Sequence, residues 1–231
     1  MKYKNVVKGT FIERPNRFIA KVDIDGNIHT VHVKNTGRCR ELLIKGSTVY
    51  LAKSDNRERK TLYDLIAVEK KYDNKEPLLI NMDSQVPNVV AEEFLIKGNL
   101  FSKNAIIKRE VTYKNSRFDL YIEDNGKKSF LEVKGVTLES DGIAMFPDAP
   151  TIRGVKHINE LVSAIADGYE AYILFVIQMK GVNLFKPNAK MHKEFADVLS
   201  FAKKNGVKVL AVDSIVTKDS IEIDSFIKTE V

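Results

Sequence analysis

The dipeptide Asn125–Gly126 constrains this chain more tightly than any other feature of its sequence. It lies between two alternating runs, RFDLYIED (117–124) and KKSFLEVKG (127–135). Asn-Gly between such runs is the strongest short-range signal for a two-residue β-hairpin. Centring the turn there sets a register: Asp119 stands opposite Glu132, and Arg117 opposite Lys134. Opposed residues project to one face with Cβ atoms roughly 4.5–5.5 Å apart. Lys134, two residues past Glu132, shares that face. Leu120, Ile122, Leu131 and Val133 form the other, apolar face.

Like charges directly opposed destabilise a sheet, so Asp119 and Glu132 ask for a reason. One is a divalent cation: two carboxylates on adjacent strands make the oxygen-rich, open site that Mg²⁺ or Mn²⁺ accepts, with an ammonium, Lys134, beside it. Metal-assisted hydrolysis of a phosphodiester uses these parts. The other is an ordinary solvent face, with the acids paired to Arg117 and Lys134 at little energetic value. Tyr121 and Phe130 on the acidic face favour a sheltered site.

Upstream, residues 6–70 read as five short strands with period-2 alternation (VVKGTFIE, RFIAKVDID, NIHTVHVK, STVYLAK, TLYDLIAVEK). Their count suits a small barrel, of OB or SH3-like type. KKYDNKEPLLINMDSQVPN (70–88) is polar and carries two prolines, and reads as the connection, giving domains 1–82 and 83–231. Beyond it helices and strands alternate. NVVAEEFLIKGN is a helix capped by Asn88 and ended at Gly98. TIRGVKHINELVSAIADG is a second, capped by Thr151 and ended at Gly168. EAYILFVIQM is an apolar strand covered on both faces. KEFADVLSFAKKNG and VKVLAVD add a helix and a strand. The fold class is α/β: a β-barrel domain followed by a mixed sheet with helices.

The charge is divided unequally. Residues 1–80 hold 17 Lys and Arg against 10 Asp and Glu, whereas residues 81–231 hold 20 against 21. A net of +7 on the barrel and −1 on the remainder suggests a module that grips a polyanion. Arg14, Arg17, Arg38, Arg40, Arg57, Arg59 and Lys60 supply the excess. Phe11 and Phe18 could stack on unpaired bases, but barrel core is the plainer assignment for both. In the second domain Arg153, Lys156 and His157 fall on the polar side of their helix, suited to phosphate contact, with a Lys156–Glu160 helix pair as the alternative. Asp148, in the FPDAP loop, reads as a turn residue, with approach to the metal as the alternative. No run of about 18 apolar residues and no apolar h-region occur, so a cytoplasmic protein off the membrane is expected. The lone Cys39 agrees with a reducing compartment.

Asp119 followed by Glu132-Val133-Lys134 resembles the PD-(D/E)xK nuclease core. That likeness implies a metal-binding Glu on an upstream helix, for which Glu93 is the choice and Glu92 the reserve. The words HVKNTGR, VPNVVAEEFL, REVTYKNSRFDLYI, FLEVKGVTL, MFPDAPTIRGVKHINEL and LFVIQMKGVNLFKPN, in this order over about residues 7–213, are similar to the sugar fermentation stimulation (SfsA) family. The resemblance implies an OB-like N-terminal domain, a PD-(D/E)xK-like C-terminal domain and DNA as partner. Joined to the register and the charge division, it gives the expected assignment: catalysis by Asp119, Glu132, Lys134 and Glu93 with Mg²⁺ or Mn²⁺, and DNA contact by Arg14, Arg17, Arg38, Arg57, Arg59, Lys60, Arg117, Arg153, Lys156 and His157. The alternative is a DNA-binding regulator of sugar metabolism that does not cut. Oligomeric state stays open, a homodimer included.

Overall fold

The computed structural model describes residues 1–35, 37–56, 58–73 and 75–231. Five strands, β1 (Val6–Asn16), β2 (Ile19–Ile24), β3 (Asn27–Val33), β4 (Thr48–Lys53) and β5 (Tyr63–Lys70), form the first unit. They run in the order β3-β2-β1-β4-β5, and a parallel pairing of β3 with β5 closes the ring at His32–Asp64 and Val33–Leu65. That closure selects the OB type between the two barrels that the strand count allowed. Register shifts between Phe11 and Asn16 bend β1 enough to serve both β2 and β4. Inward residues alternate, as Ala20, Val22 and Ile24 do on β2.

The expected connection contains a short strand, β6 (Leu78–Asn81), which extends the sheet beyond β5. The second unit follows as α1 (Val86–Ile96), β7 (Ile106–Tyr113), β8 (Ser116–Asp124), β9 (Lys127–Val136), β10 (Leu138–Ser140), β11 (Ile143–Phe146), α2 (Ile152–Ala166), β12 (Glu170–Ile177), β13 (Leu184–Pro187), α3 (Lys193–Lys204), β14 (Lys208–Val216), β15 (Ile221–Phe226) and β16 (Lys228–Thr229). Its main sheet has the order β15-β14-β12-β9-β8-β7, parallel at the centre (β9, β12, β14) and antiparallel outside. A smaller sheet, β10-β11-β13-β16, lies alongside.

Both faces of the main sheet are covered. Ile173 and Phe175 pack with Leu161 of α2 and Phe195 of α3, and Leu174 and Val176 pack with Val90 and Phe94 of α1. This is why β12 reads as an unbroken apolar run. The first cluster continues without interruption into Val22, Leu51 and Leu65 of the barrel, so the two units share one core. A buried polar seam seals them. Lys34 pairs with the buried Asp83 at 2.6 Å, and Gln178 donates to Asn81 and to the Asp83 carbonyl at 3.0 Å each.

Candidate functional site

The hairpin forms as its turn dictates. Asn125 and Gly126 take φ of 51° and 77°, the left-handed pair that a tight two-residue turn needs. Pairing runs from Asp124–Lys127 to Leu120–Leu131 in the expected register. It stops one residue short of Asp119, where the sequence predicts a direct Asp119–Glu132 pair. On the other edge, β7 pairs Arg109 with Leu120 and Val111 with Phe118, skipping Glu110 and Asp119, and Glu110 has φ of 56°. The pleat breaks there: Phe118 packs in the α2-side cluster, whereas Leu120, of the same parity, packs in the α1-side cluster. Instead of completing the ladder, the Asp119 side chain accepts the Val133 N–H at 2.8 Å and the Asn88 amide at 2.8 Å.

Glu132 lies under α2. One carboxylate oxygen, Oε1, accepts both from Lys134 Nζ and from His157 Nδ1. The His157 Nε2 in turn accepts from Arg153 Nε at 3.3 Å, which places the imidazole proton on Nδ1. The other oxygen, Oε2, is buried without a partner. Burial raises the Glu132 carboxyl, but the His157 hydrogen bond and the Lys134 charge outweigh it and hold the group below the ordinary carboxylate range. Asp119 goes the other way. Burial and the neighbouring Glu132 charge push it up to about 6. Burial and the neighbouring charges thus shift two adjacent acids in opposite directions, a pattern found at functional sites and also in structural ion-pair networks. A hard divalent cation would answer both anomalies, giving Oε2 a partner and relieving the charge on Asp119. The donors present therefore fit such an ion.

Several expected residues sit elsewhere. Glu93 accepts the N-terminal ammonium at 2.8 Å. It is five residues past Asn88, about 140° round the helix, so the position of α1 that meets Asp119 is Asn88 itself. Asn88 does not cap the helix as expected; α1 begins at Val86, one turn earlier than that cap requires, which frees the side chain. Glu92 is on the Asn88 side, a turn further along, 3.4 Å from Arg109. Among the described residues no three His, Cys, Asp or Glu gather into one cluster, so the expected three-carboxylate set is not assembled, and a cation here would have Asp119 and Glu132 as its carboxylate donors with water completing its shell. Arg117 does not face Lys134, because pairing has already ended; it is bound to Glu110 at 2.7 Å. Lys156 donates to the Asn115 carbonyl at 2.6 Å rather than pairing with Glu160. His157 is buried, not on the polar side of α2. The signal was present: His157 holds helical spacing with Gly154, Leu161 and Ala164, all buried.

The basic barrel residues divide likewise. Arg14 turns inward and donates to the carbonyls of Arg17, Asn35, Gly37 and Arg38 at 2.6–2.9 Å. Arg59 grips Asp64 with both terminal nitrogens, at 3.0 and 2.7 Å. Arg17, Arg38, Arg40 and Lys60 are exposed; Arg57 lies outside the described residues. Phe11 is buried as expected, but Phe18 is half exposed, with the Arg17 guanidinium 5.2 Å above its ring. Asp148 does more than shape its turn: it accepts the Arg38 N–H at 3.2 Å across the domain boundary.

Comparison with known proteins agrees with this architecture. Residues 12–77 match the SfsA N-terminal OB domain and residues 85–220 the sugar fermentation stimulation protein RE domain. A sugar fermentation stimulation protein homolog of Clostridium beijerinckii is 57% identical over 227 residues, covering 98% of each chain. One of Desulfitobacterium hafniense is 59% identical over 227 residues, covering 98% of this chain and 97% of that one. The solved structure of Pyrococcus furiosus SfsA in complex with Ca²⁺ is 28% identical, with a TM-score of 0.85 over 100% of this chain and 98% of the other. On this evidence the chain belongs to the sugar fermentation stimulation protein family, SfsA.

Proposed function

We propose that this protein is a divalent-cation-dependent phosphodiester hydrolase acting on DNA. The observation that carries the reading is the pair of converging carboxylates, Asp119 and Glu132, with the buried Oε2 of Glu132 left unpartnered. Mg²⁺ or Mn²⁺, held by these two carboxylates, would supply charge stabilisation at the phosphate and an acidified water. The Ca²⁺ bound by the Pyrococcus relative supports a hard-cation site in the family. In this reading His157 and Lys134 keep Glu132 ionised and fixed. Asn88 and the Val133 N–H orient Asp119. The Lys134 ammonium remains close enough to meet negative charge developing on the phosphate. Arg17, Arg38, Arg40 and Lys60 hold the backbone, largely without reading bases.

One observation favours the second reading, a DNA-binding regulator that does not cut. Among the described residues only two carboxylates converge, and Lys134 is already engaged by Glu132. The test is incubation of the purified protein with single- and double-stranded DNA in Mg²⁺, Mn²⁺ or chelator, beside Glu132→Ala. Cleavage that needs the metal and vanishes in the variant is the expected result. Binding without cleavage on every substrate defeats the hydrolase reading and leaves the regulator.

A further inference from the structure

Immediately past Lys134, the end of β9 opens into a cavity of about 110 Å³ between the two domains. It lies at the carboxyl ends of the parallel strands β9 and β12, the edge where open α/β sheets bind ligands. Gly135 lines it, and a Cβ there would come within 2.6 Å of both Pro87 and Gln178, so no larger residue fits at that position without displacing them. Among the described residues the polar lining is Asn35, Ser84, Thr137, Asp148 and Gln178, with no lysine or arginine. A phosphate would find a carboxylate and no cation there. A nucleobase would find donors and acceptors with capacity to spare. Asn35 spends its Oδ1 on the Gly37 N–H, and Gln178 spends its Nε2 on Asn81 and Asp83. Asp148 spends one oxygen on Arg38. Among the described residues the Asn35 amide nitrogen, the Gln178 Oε1 and the second Asp148 oxygen carry no hydrogen bond.

Size decides the form of the ligand. The volume equals that of about four waters, enough for one planar ring system and far too little for a duplex. The approach is equally suited to an unpaired strand. Gly37 and Arg38 separate the cavity from a second, wider cleft of about 420 Å³, bordered by Arg17, Arg38 and Arg40. Beside that cleft stands the half-exposed Phe18 with Arg17 over its ring. An exposed aromatic among arginines is how proteins hold unstacked bases and their backbone together. Glu132 lies three residues before Gly135, about 10 Å along the strand, so a base in the cavity would bring a nearby linkage of the same strand to the carboxylate pair.

We propose that the interdomain cavity is a subsite for one unpaired base, and that the protein engages DNA as a single strand, led in over Phe18. The inference rests on the phosphodiesterase reading and adds the form of the substrate. It is tested by binding in chelator, where no turnover occurs, so its failure is distinct from a failure of catalysis. The probe is a fluorescent single strand of about 12 nucleotides, compared by anisotropy with the same sequence as a blunt duplex. Single strand is expected to bind about 10-fold more tightly. Phe18→Ala, at an exposed position, should erase most of that preference while leaving duplex affinity unchanged. An abasic sugar moved along the strand should weaken binding most at one or two positions, and Asn35→Leu should flatten that pattern. Equal affinity for strand and duplex, or an abasic scan that is already flat in the unaltered protein, overturns the proposal. The abasic scan needs no variant, so a misfolded substitution cannot shield it.

Discussion

The barrel and the hairpin both present charge where sequence rules would not place it, and the structure uses the two quite differently. On the barrel, seven basic residues look interchangeable in sequence, yet Arg14 and Arg59 are consumed internally, by four backbone carbonyls and by Asp64. In the hairpin, the turn brings three charged residues to one place, and a break in the pleat at Asp119 turns its side chain onto the Val133 N–H. The difference is one of reach. A guanidinium on a long flexible stem can fold back onto the chain or extend to a ligand, and its position in sequence does not say which. Asp119 and Glu132 are short and anchored to strands, so knowing the strands largely locates the carboxylates.

If the carboxylate pair is the working part and the barrel arginines only grip, variants of the pair should give the largest effects. Glu132→Gln keeps shape and removes charge; its DNA cleavage should fall by at least about 1000-fold, with strand binding in chelator little changed. The same variant should lose the rise in melting temperature that Ca²⁺ or Mg²⁺ gives the unaltered protein by binding the folded state. A barrel variant such as Arg17→Ala should show the reverse pattern, weaker binding with the cation effect intact. If Arg17→Ala abolished cation stabilisation as well, the division drawn between the regions would be wrong.

His157→Ala should reduce cleavage and cation affinity by about 10- to 100-fold, the range seen when a group orienting a ligand is removed. His157→Asn, whose amide can stand near Nδ1, should recover part of that loss. Calorimetric titration of Ca²⁺ checks both variants without turnover. Equal loss in the two would mean that the imidazole only fills space against Phe118.

Asp119 gives a pH signature. Its carboxyl is raised to about 6 in the folded chain, against about 3.9 unfolded. The folded state therefore binds the proton more strongly, and without a cation this group costs stability increasingly as pH climbs from about 4 through 6. Asp119→Asn should remove that decline and make the cation-free protein more stable at pH 7 by up to about 3 kcal/mol. Saturating Ca²⁺ should invert the order, stabilising the unaltered chain above the variant. Urea unfolding at pH 4.5 and 7 with and without Ca²⁺ measures all of these differences.

The limits of the sequence follow from which interactions are local. The five barrel strands, the Asn125–Gly126 turn, the Thr151 cap and the helix ends at Gly98, Gly168 and Gly206 were legible because each depends on neighbours in the chain. The OB closure was not, since it turns on β3 meeting β5 across thirty residues, and strand count cannot express it. Nor was the small sheet β10-β11-β13-β16, whose strands of two to four residues show almost no period. At the site, Asp119, Glu132 and Lys134 were legible from the hairpin and from the D…ExK pattern, although the direct Asp119–Glu132 pair was not formed. The hydrogen bond from Asn88 and the inward turn of Arg14 are long-range choices of single side chains. His157 stood on a visible apolar stripe, where its polarity concealed its burial.

The smallest expected effect sharpens the comparison within the barrel itself. Arg14→Ala strips donors from four carbonyls around residues 17 and 35–38. Part of that surface is wet, so water recovers some of the loss; about 2 kcal/mol is expected, in line with the cost of unpairing partly buried polar groups. Arg17→Ala, exposed beside Phe18, should stay within about 0.5 kcal/mol of the unaltered chain. Two arginines three residues apart, alike in every sequence measure, would then separate cleanly in a thermal melt. If both shift stability equally, the assignment of Arg14 to the fold and Arg17 to the ligand fails. If only Arg14 does, the positive charge of the barrel is itself split between holding the loop in place and meeting DNA.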